Sequence, residues 1–166
     1  MLPASPSRRI CIIMKKIMVI LIVLWIGRSA NAQCTLSFKS LSDFENDTTA
    51  FINYNFSTRA ACYAGKTFNT ILTDLGIPVK SFLTTSLWYY PDLFNGMYIY
   101  IYPYNTVYNR INHSNYSNII FIRWGGTLSA DDFKSYLDST DPHKWNLQIE
   151  NYLKDFGIQE VGIVNY

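Results

Sequence analysis

The chain has 166 residues and a formal net charge of +2, from 14 basic and 12 acidic side chains. Five of the basic side chains but none of the acidic ones lie in the first 32 residues, so the remaining 134 residues carry a formal charge of −3. A mildly acidic segment without a cluster of Lys or Arg lacks the electrostatic footprint of a nucleic-acid-binding protein, which excludes that class of partner.

Residues 1–32 have the pattern of a cleavable export signal. A basic front end that includes Lys15 and Lys16 precedes the uncharged apolar run 17–26, and Ala30-Asn31-Ala32 supplies the small residues that a signal peptidase recognises. Ten apolar residues reach about half way across a hydrocarbon core, so no transmembrane anchor is expected after cleavage. We therefore predict a protein released to the periplasm or the extracellular surface.

Two cysteines, Cys34 and Cys62, remain after removal of the leader. In an oxidising compartment a pair of cysteines favours one disulfide, although two unlinked thiols are the alternative. Residues 33–166 contain no repeat and no Pro- or Gly-rich linker, which predicts a single domain.

The first element is ambiguous. Ser42 and Glu45 have the spacing of a capping box, which predicts a helix start. Apolar residues continue at helical spacing as far as Phe56, but a strand across 50–56 is the competing interpretation.

The second helix has a clearer pattern. Phe68, Ile71, Leu72 and Leu75 lie at i, i+3, i+4 and i+7, which predicts one buried helix face. Gly76 stands where a left-handed residue ends a helix, so we expect the helix to stop there.

Three extended segments follow, at 79–88, 97–104 and 118–124. Asn95-Gly96 predicts a tight turn into the second of them. The run 119–122 is apolar on both faces, which indicates a central strand.

The C-terminal part predicts two helices and a strand. Ser129 opens a short helix over 130–137, and Asp141 with Pro142 has the pattern of a helix start. A strand is predicted at 158–164. Together these elements predict an α+β fold, with helices on one face of a small, mainly antiparallel sheet of about four strands.

The motifs of common enzymes and cofactor sites are incomplete. Gly65-Lys66-Thr67 matches the end of a phosphate-binding loop, but Ala60 stands where the motif requires its first glycine. Asp138, Asp141 and His143 are close in sequence, yet loop and helix-capping roles explain them more simply than a metal. We predict no metal or cofactor, and a binding protein rather than an enzyme.

The most distinctive stretch is tyrosine-rich. As one strand, 97–104 places its tyrosines on one face and aliphatic residues on the other, and an aromatic triplet lies just upstream. The ligand-binding residues predicted from this pattern are Trp88, Tyr89, Tyr90, Tyr98, Tyr100, Tyr102 and Tyr104. Cross-strand tyrosine packing within the sheet is the alternative interpretation of the same pattern.

The leader from Met14-Lys15-Lys16 to Gln33 resembles the export signals of Gram-negative, Bacteroidetes-type proteins, and the segment after it, with Tyr63-Ala64-Gly65-Lys66-Thr67, is similar in style to small exported domains of such bacteria. The resemblance implies a periplasmic or surface location and no particular activity. We expect an exported binding module whose partner is a glycan or an envelope protein. A small hydrolase with a carboxylate-based site and a purely structural envelope protein are the alternatives.

Overall fold

A four-stranded antiparallel sheet is the centre of the fold in the computed structural model, which describes residues 34–111 and 118–164. Its strands lie in the order β1, Ser81–Leu87; β2, Tyr90–Tyr100; β3, Ile119–Ser129; and β4, Ile158–Val164. Because β3 pairs with both β2 and β4, the predicted central position of this strand is confirmed. The predicted leader, residues 1–32, lies outside the described residues.

Five α-helices accompany the sheet in the described residues: α1, Thr48–Asn53; α2, Phe68–Leu75; α3, Tyr104–Ile111; α4, Ala130–Lys134; and α5, Leu147–Leu153. Shorter helical turns occupy Leu41–Phe44, Tyr54–Thr58 and Ala60–Tyr63. The predicted α+β fold is confirmed, and the region 50–56 is helical rather than extended.

The main core lies on one face of the sheet. Met97, Ile99, Ile120 and Ile122 project from the central strands into a cluster with apolar residues of α1, α2, α4 and α5. The helix α3 lies on the other face, where Val107 packs with Tyr100 and Ile119 in a smaller cluster. Helices therefore cover most of one sheet face and one end of the other.

Helix α2 follows its sequence pattern closely. Phe68, Ile71 and Leu75 are buried in the core, as predicted. Gly76 has a φ of +59°, and its N–H donates to the carbonyl of Leu72, which ends the helix.

The first described residues are joined to the body of the domain. The predicted disulfide between Cys34 and Cys62 is present, and the two Cα atoms are 4.8 Å apart. Arg59 is buried and donates from Nε to the carbonyl of Leu36 and from Nη1 to Asn55. These contacts pin the segment that follows Cys34 against the helical turns.

The predicted helix starts at Ser42 and Asp141 are wrong. Ser40, rather than Ser42, forms a capping box with Asp43, and α1 begins later, after its cap residue Asp47. Helix α5 begins after Asn146, whose side chain accepts from the N–H of Ile149.

After Asp141 the chain turns at Pro142 and His143 and then pairs with the edge of β1 at Lys144. The N–H of Phe82 donates to the carbonyl of His143, and the N–H of Trp145 donates to the carbonyl of Lys80. A helix starting at Asp141 would lose these bonds. Sheet-edge pairing therefore takes precedence over the local capping pattern here.

Asn95-Gly96 is not the predicted turn, because both residues lie within β2 at an irregularity of the β2–β3 register. A glycine is needed at position 96 because β2 and β3 approach closely there. A β-carbon on Gly96 would lie 2.5 Å from the Ile122 carbonyl oxygen. The turn lies seven residues earlier, at Trp88-Tyr89.

Candidate functional site

The turn between β1 and β2 carries three exposed aromatic side chains. Leu87 pairs with Tyr90, so Trp88 and Tyr89 alone connect the two strands. Trp88 is 92% exposed, Tyr89 84% and Tyr90 64%. We call Trp88, Tyr89 and Tyr90 the aromatic tip.

The residues of this turn are unusual for its geometry. Two-residue hairpin turns favour Asn-Gly or a similar pair, because the turns that match strand twist need a positive φ. Neither Trp88 nor Tyr89 has a positive φ. The register of the hairpin is irregular on both sides of Ser86, next to the turn. Turn chemistry therefore does not explain why two large aromatic residues occupy these positions.

Core packing does not explain them either. Phe94, four residues along the same strand from Tyr90, is 2% exposed and lies edge-to-face with Trp124 at 5.9 Å between ring centroids. An aromatic side chain that is buried in this way removes about 150–250 Å² from water, and most of that gain is absent at the tip. Contiguous exposed apolar surface of this kind is typical of interaction sites.

The predicted tyrosine face over 97–104 does not exist as one strand face. Strand β2 ends at Tyr100, and a bend leads into α3, so Tyr102 and Tyr104 are not on the strand. Backbone N–H groups of the first turn of α3 bond to the carbonyl of Pro103, which places this proline at a helix start rather than on an edge strand.

The four tyrosines are also less accessible than a binding face requires. Tyr100 is 4% exposed beneath α3, and Tyr98 is half-buried with its ring 5.3 Å from that of Phe121. Tyr102 is half-buried against the small cluster of Tyr100 and Val107. Among the seven predicted ligand-binding residues, only the three of the aromatic tip are exposed.

The ring of Tyr104 stacks on His143, with 4.2 Å between centroids. The carboxylate of Asp138, near His143 in sequence, accepts from the hydroxyl and N–H of Thr140 and from the N–H of Asp141. These hydrogen bonds lower the pKa of Asp138 to about 2, with the Thr140 hydroxyl as the largest cause. Asp141 in turn accepts from the N–H of His143, so both carboxylates shape the loop.

Over residues 34–111 and 118–164, no group of three or more His, Cys, Asp and Glu side chains is arranged to hold a metal ion. Within the same ranges, no helix has the length and apolar character needed to cross a membrane.

A second surface feature was not predicted from the sequence. An open groove of about 700 Å³ lies along α5 and the end of α4, lined by Ser135, Tyr136, Gln148, Asn151 and Tyr152. The rings of Tyr136 and Tyr152 stack with 4.4 Å between centroids and 27° between planes. We call this feature the tyrosine groove. Its two rings are 16 residues apart along the chain, so no local pattern brings them together.

No protein-family model, curated protein or solved structure matches this chain.

Proposed function

We propose that this chain is an exported, non-enzymatic binding module that contacts a protein partner through the aromatic tip. The observation that carries the proposal is the exposure of Trp88 and Tyr89, at 92% and 84%, on a turn that does not require them. Trp and Tyr are the residues most enriched among those that dominate the energy of protein interfaces. The Cys34–Cys62 disulfide supports an exported location, because such bonds persist in oxidising compartments.

The shape of the tip favours a protein over a small ligand. Sites for small molecules are concave and enclose most of the ligand surface. Trp88 and Tyr89 lie instead at the end of a two-stranded hairpin, where they project from the fold. The concave surface must then belong to the partner, which favours a folded protein with an apolar pocket.

The charge of the hairpin disfavours an anionic membrane as the partner. Segment 81–93 contains no Lys or Arg, and Asp92 is its single charged residue. Stable binding of an anchor of this kind to anionic lipid requires a basic patch in addition to apolar side chains. The tip therefore has the aromatic part of a membrane anchor without the charged part.

Site-specific photo-crosslinking tests the proposal in the full chain, exported by its own cells. A photoreactive phenylalanine analogue replaces Trp88 in one protein and Tyr108, a 56% exposed residue of α3, in the matched control. We expect a discrete protein adduct from position 88 that is absent from position 108. Equal labelling at the two positions, or an adduct with lipid alone, would overturn the proposal.

A further inference from the structure

We propose that the tyrosine groove is a second binding site and that its ligand is a neutral carbohydrate. The proposal does not rest on the function of the aromatic tip, because no residue of the tip lines the groove. Four observations carry it: the stacked ring pair, its rigid support, the free polar groups around it, and the absence of charge in the lining.

The ring pair is held in place before any ligand arrives. Phe133, a core residue, lies behind both rings, with its centroid 6.4 Å from that of Tyr136 and 5.9 Å from that of Tyr152. The ring of Phe156 also packs against Tyr152, with 5.7 Å between the two ring centroids. Rings fixed by packing lose little conformational entropy on binding, which favours a site over an incidental surface pair.

Free hydrogen-bonding groups surround these rings. The side-chain amides of Gln148 and Asn151 are exposed and form no hydrogen bond within the described residues, and neither do the hydroxyls of Tyr136 and Tyr152. Each amide offers donors and an acceptor, and each hydroxyl offers both. Sugar hydroxyls also donate and accept, whereas the axial C–H face of a pyranose is apolar and suits the flat body of a tyrosine.

The composition of the lining selects against an anion. The five lining residues include no Lys, Arg, His, Asp or Glu. Burial raises the pKa of Tyr152, and the neighbouring Tyr136 and the negative charge of Asp132 raise it further. Because the lining contains no cationic side chain that could pair with a uronate or a phosphate, the sugar should be neutral.

The size of the groove fits a short oligosaccharide. Its volume of about 700 Å³ is within the usual range for small-ligand sites. The groove is open to solvent, so a chain of sugar rings can extend beyond the residues that contact one ring.

Titration of the full chain with cellotetraose, chitotetraose and maltotetraose, followed by NMR of the backbone amides, tests this inference. We expect at least one of these neutral probes to shift the backbone signals of Tyr136 and Tyr152, which every variant retains, at about millimolar concentration or below. Tetragalacturonate, the charged counterpart, should bind at least about tenfold more weakly.

A double variant and a matched control make the test specific. Gln148→Ala with Asn151→Ala should weaken binding of the probe by at least about tenfold, because two polar contacts are lost. Asn69→Ala with Gln159→Ala removes two exposed amides outside the groove and should leave binding unchanged. Absence of binding by all three neutral probes, equal loss in both double variants, or tighter binding of tetragalacturonate would overturn the inference.

The same titration separates this site from the aromatic tip. Trp88→Ala with Tyr89→Ala should bind the neutral probe as the wild type does. Loss of sugar binding in that variant would overturn the assignment to the groove, whereas loss of the crosslink at position 88 would bear on the tip alone.

Discussion

Gly96 approaches Ile122 so closely that a β-carbon on the glycine would lie 2.5 Å from the Ile122 carbonyl oxygen and 3.3 Å from the Cα of Arg123. Both of these neighbours are backbone atoms of β3, so they cannot move aside as a flexible side chain would. The contact explains why a residue without a side chain occupies an interior position of β2.

The first prediction concerns this contact. Gly96→Ala should lower the free energy of unfolding by about 2–3 kcal/mol, because the two strands must separate to admit the methyl group. Gly125→Ala is the matched control, since a β-carbon there meets nothing within 4 Å. Urea denaturation of the two variants measures the difference, and equal stability would contradict the geometry at Gly96.

The second prediction separates fold from binding among the tyrosines. Tyr100→Ala should destabilise the domain by about 3 kcal/mol, because the ring is 4% exposed between α3 and the sheet. Tyr108→Ala on α3 should change stability by less than about 0.5 kcal/mol, because its side chain is exposed. Thermal or urea unfolding compares the two, and a neutral Tyr100→Ala variant would argue that α3 does not cover this ring.

The third prediction concerns the disulfide. Replacing Cys34 and Cys62 together by Ser should lower the free energy of unfolding by about 3 kcal/mol, since the bond closes a loop of 28 residues. Arg59 should retain its bond to the Leu36 carbonyl in the folded variant, because that contact does not involve sulfur. Urea unfolding of oxidised wild type against the double variant gives the value, and an unchanged midpoint would contradict it.

The fourth prediction is a pH dependence at Asp138. Its pKa in the folded chain is about 2, below the ordinary value of 3.8, so the ionised form is favoured by folding. The resulting stability is present above about pH 4 and is lost as the pH falls towards about 2. The Asp138→Asn variant should therefore lose less free energy of unfolding than the wild type as the pH falls over this interval.

The control for this pH effect is Asp155→Asn. Asp155 is exposed, and its carboxylate forms no hydrogen bond within the described residues. Unfolding curves at several pH values should show the same acid dependence for this variant as for the wild type. A parallel acid dependence of Asp138→Asn and wild type would contradict the role of the Thr140 and Asp141 hydrogen bonds.

The parts of the fold predicted correctly are those determined by local pattern. Helix α2 combines helical apolar spacing with Gly76 at its end, and the two signals agree. The run 119–122 is apolar on both faces, as an interior strand must be. In both elements local preference and tertiary packing favour the same structure.

The prediction of a tyrosine face over 97–104 is wrong because the alternating pattern does not show where the strand ends. Tyr98 and Tyr100 do share a sheet face, but the chain turns after Tyr100 and starts α3 near Pro103. A helix over that face could not be read from the alternation, because the cover comes from tertiary packing against Val107 and Ile119. The exposure of the tip also depends on tertiary packing. The sequence therefore predicts Trp88 and Tyr100 as members of one binding surface, although in the structure Trp88 is exposed and Tyr100 is buried.

The tyrosine groove was missed for a related reason. Tyr136 and Tyr152 come together only because α4 and α5 pack on the same part of the core, around Phe133. A sequence pattern within one helix shows at most one of the two rings. Tyr152 follows Ile149 by three residues, at the spacing of an apolar helix face, which indicates a core residue rather than a binding residue.

The central claim is that the aromatic tip binds a partner and does not support the fold. Trp88→Ala with Tyr89→Ala should change the free energy of unfolding by less than about 0.5 kcal/mol, because the two side chains are almost fully exposed. The variant then provides a folded competitor that lacks the tip.

The most direct measurement is the yield of the protein adduct from a photoreactive residue at position 88 in the presence of an excess of unlabelled domain. We predict that the wild-type domain suppresses the adduct and that the equally stable Trp88→Ala, Tyr89→Ala domain does not. Equal suppression by both domains would contradict the assignment of the contact to the aromatic tip.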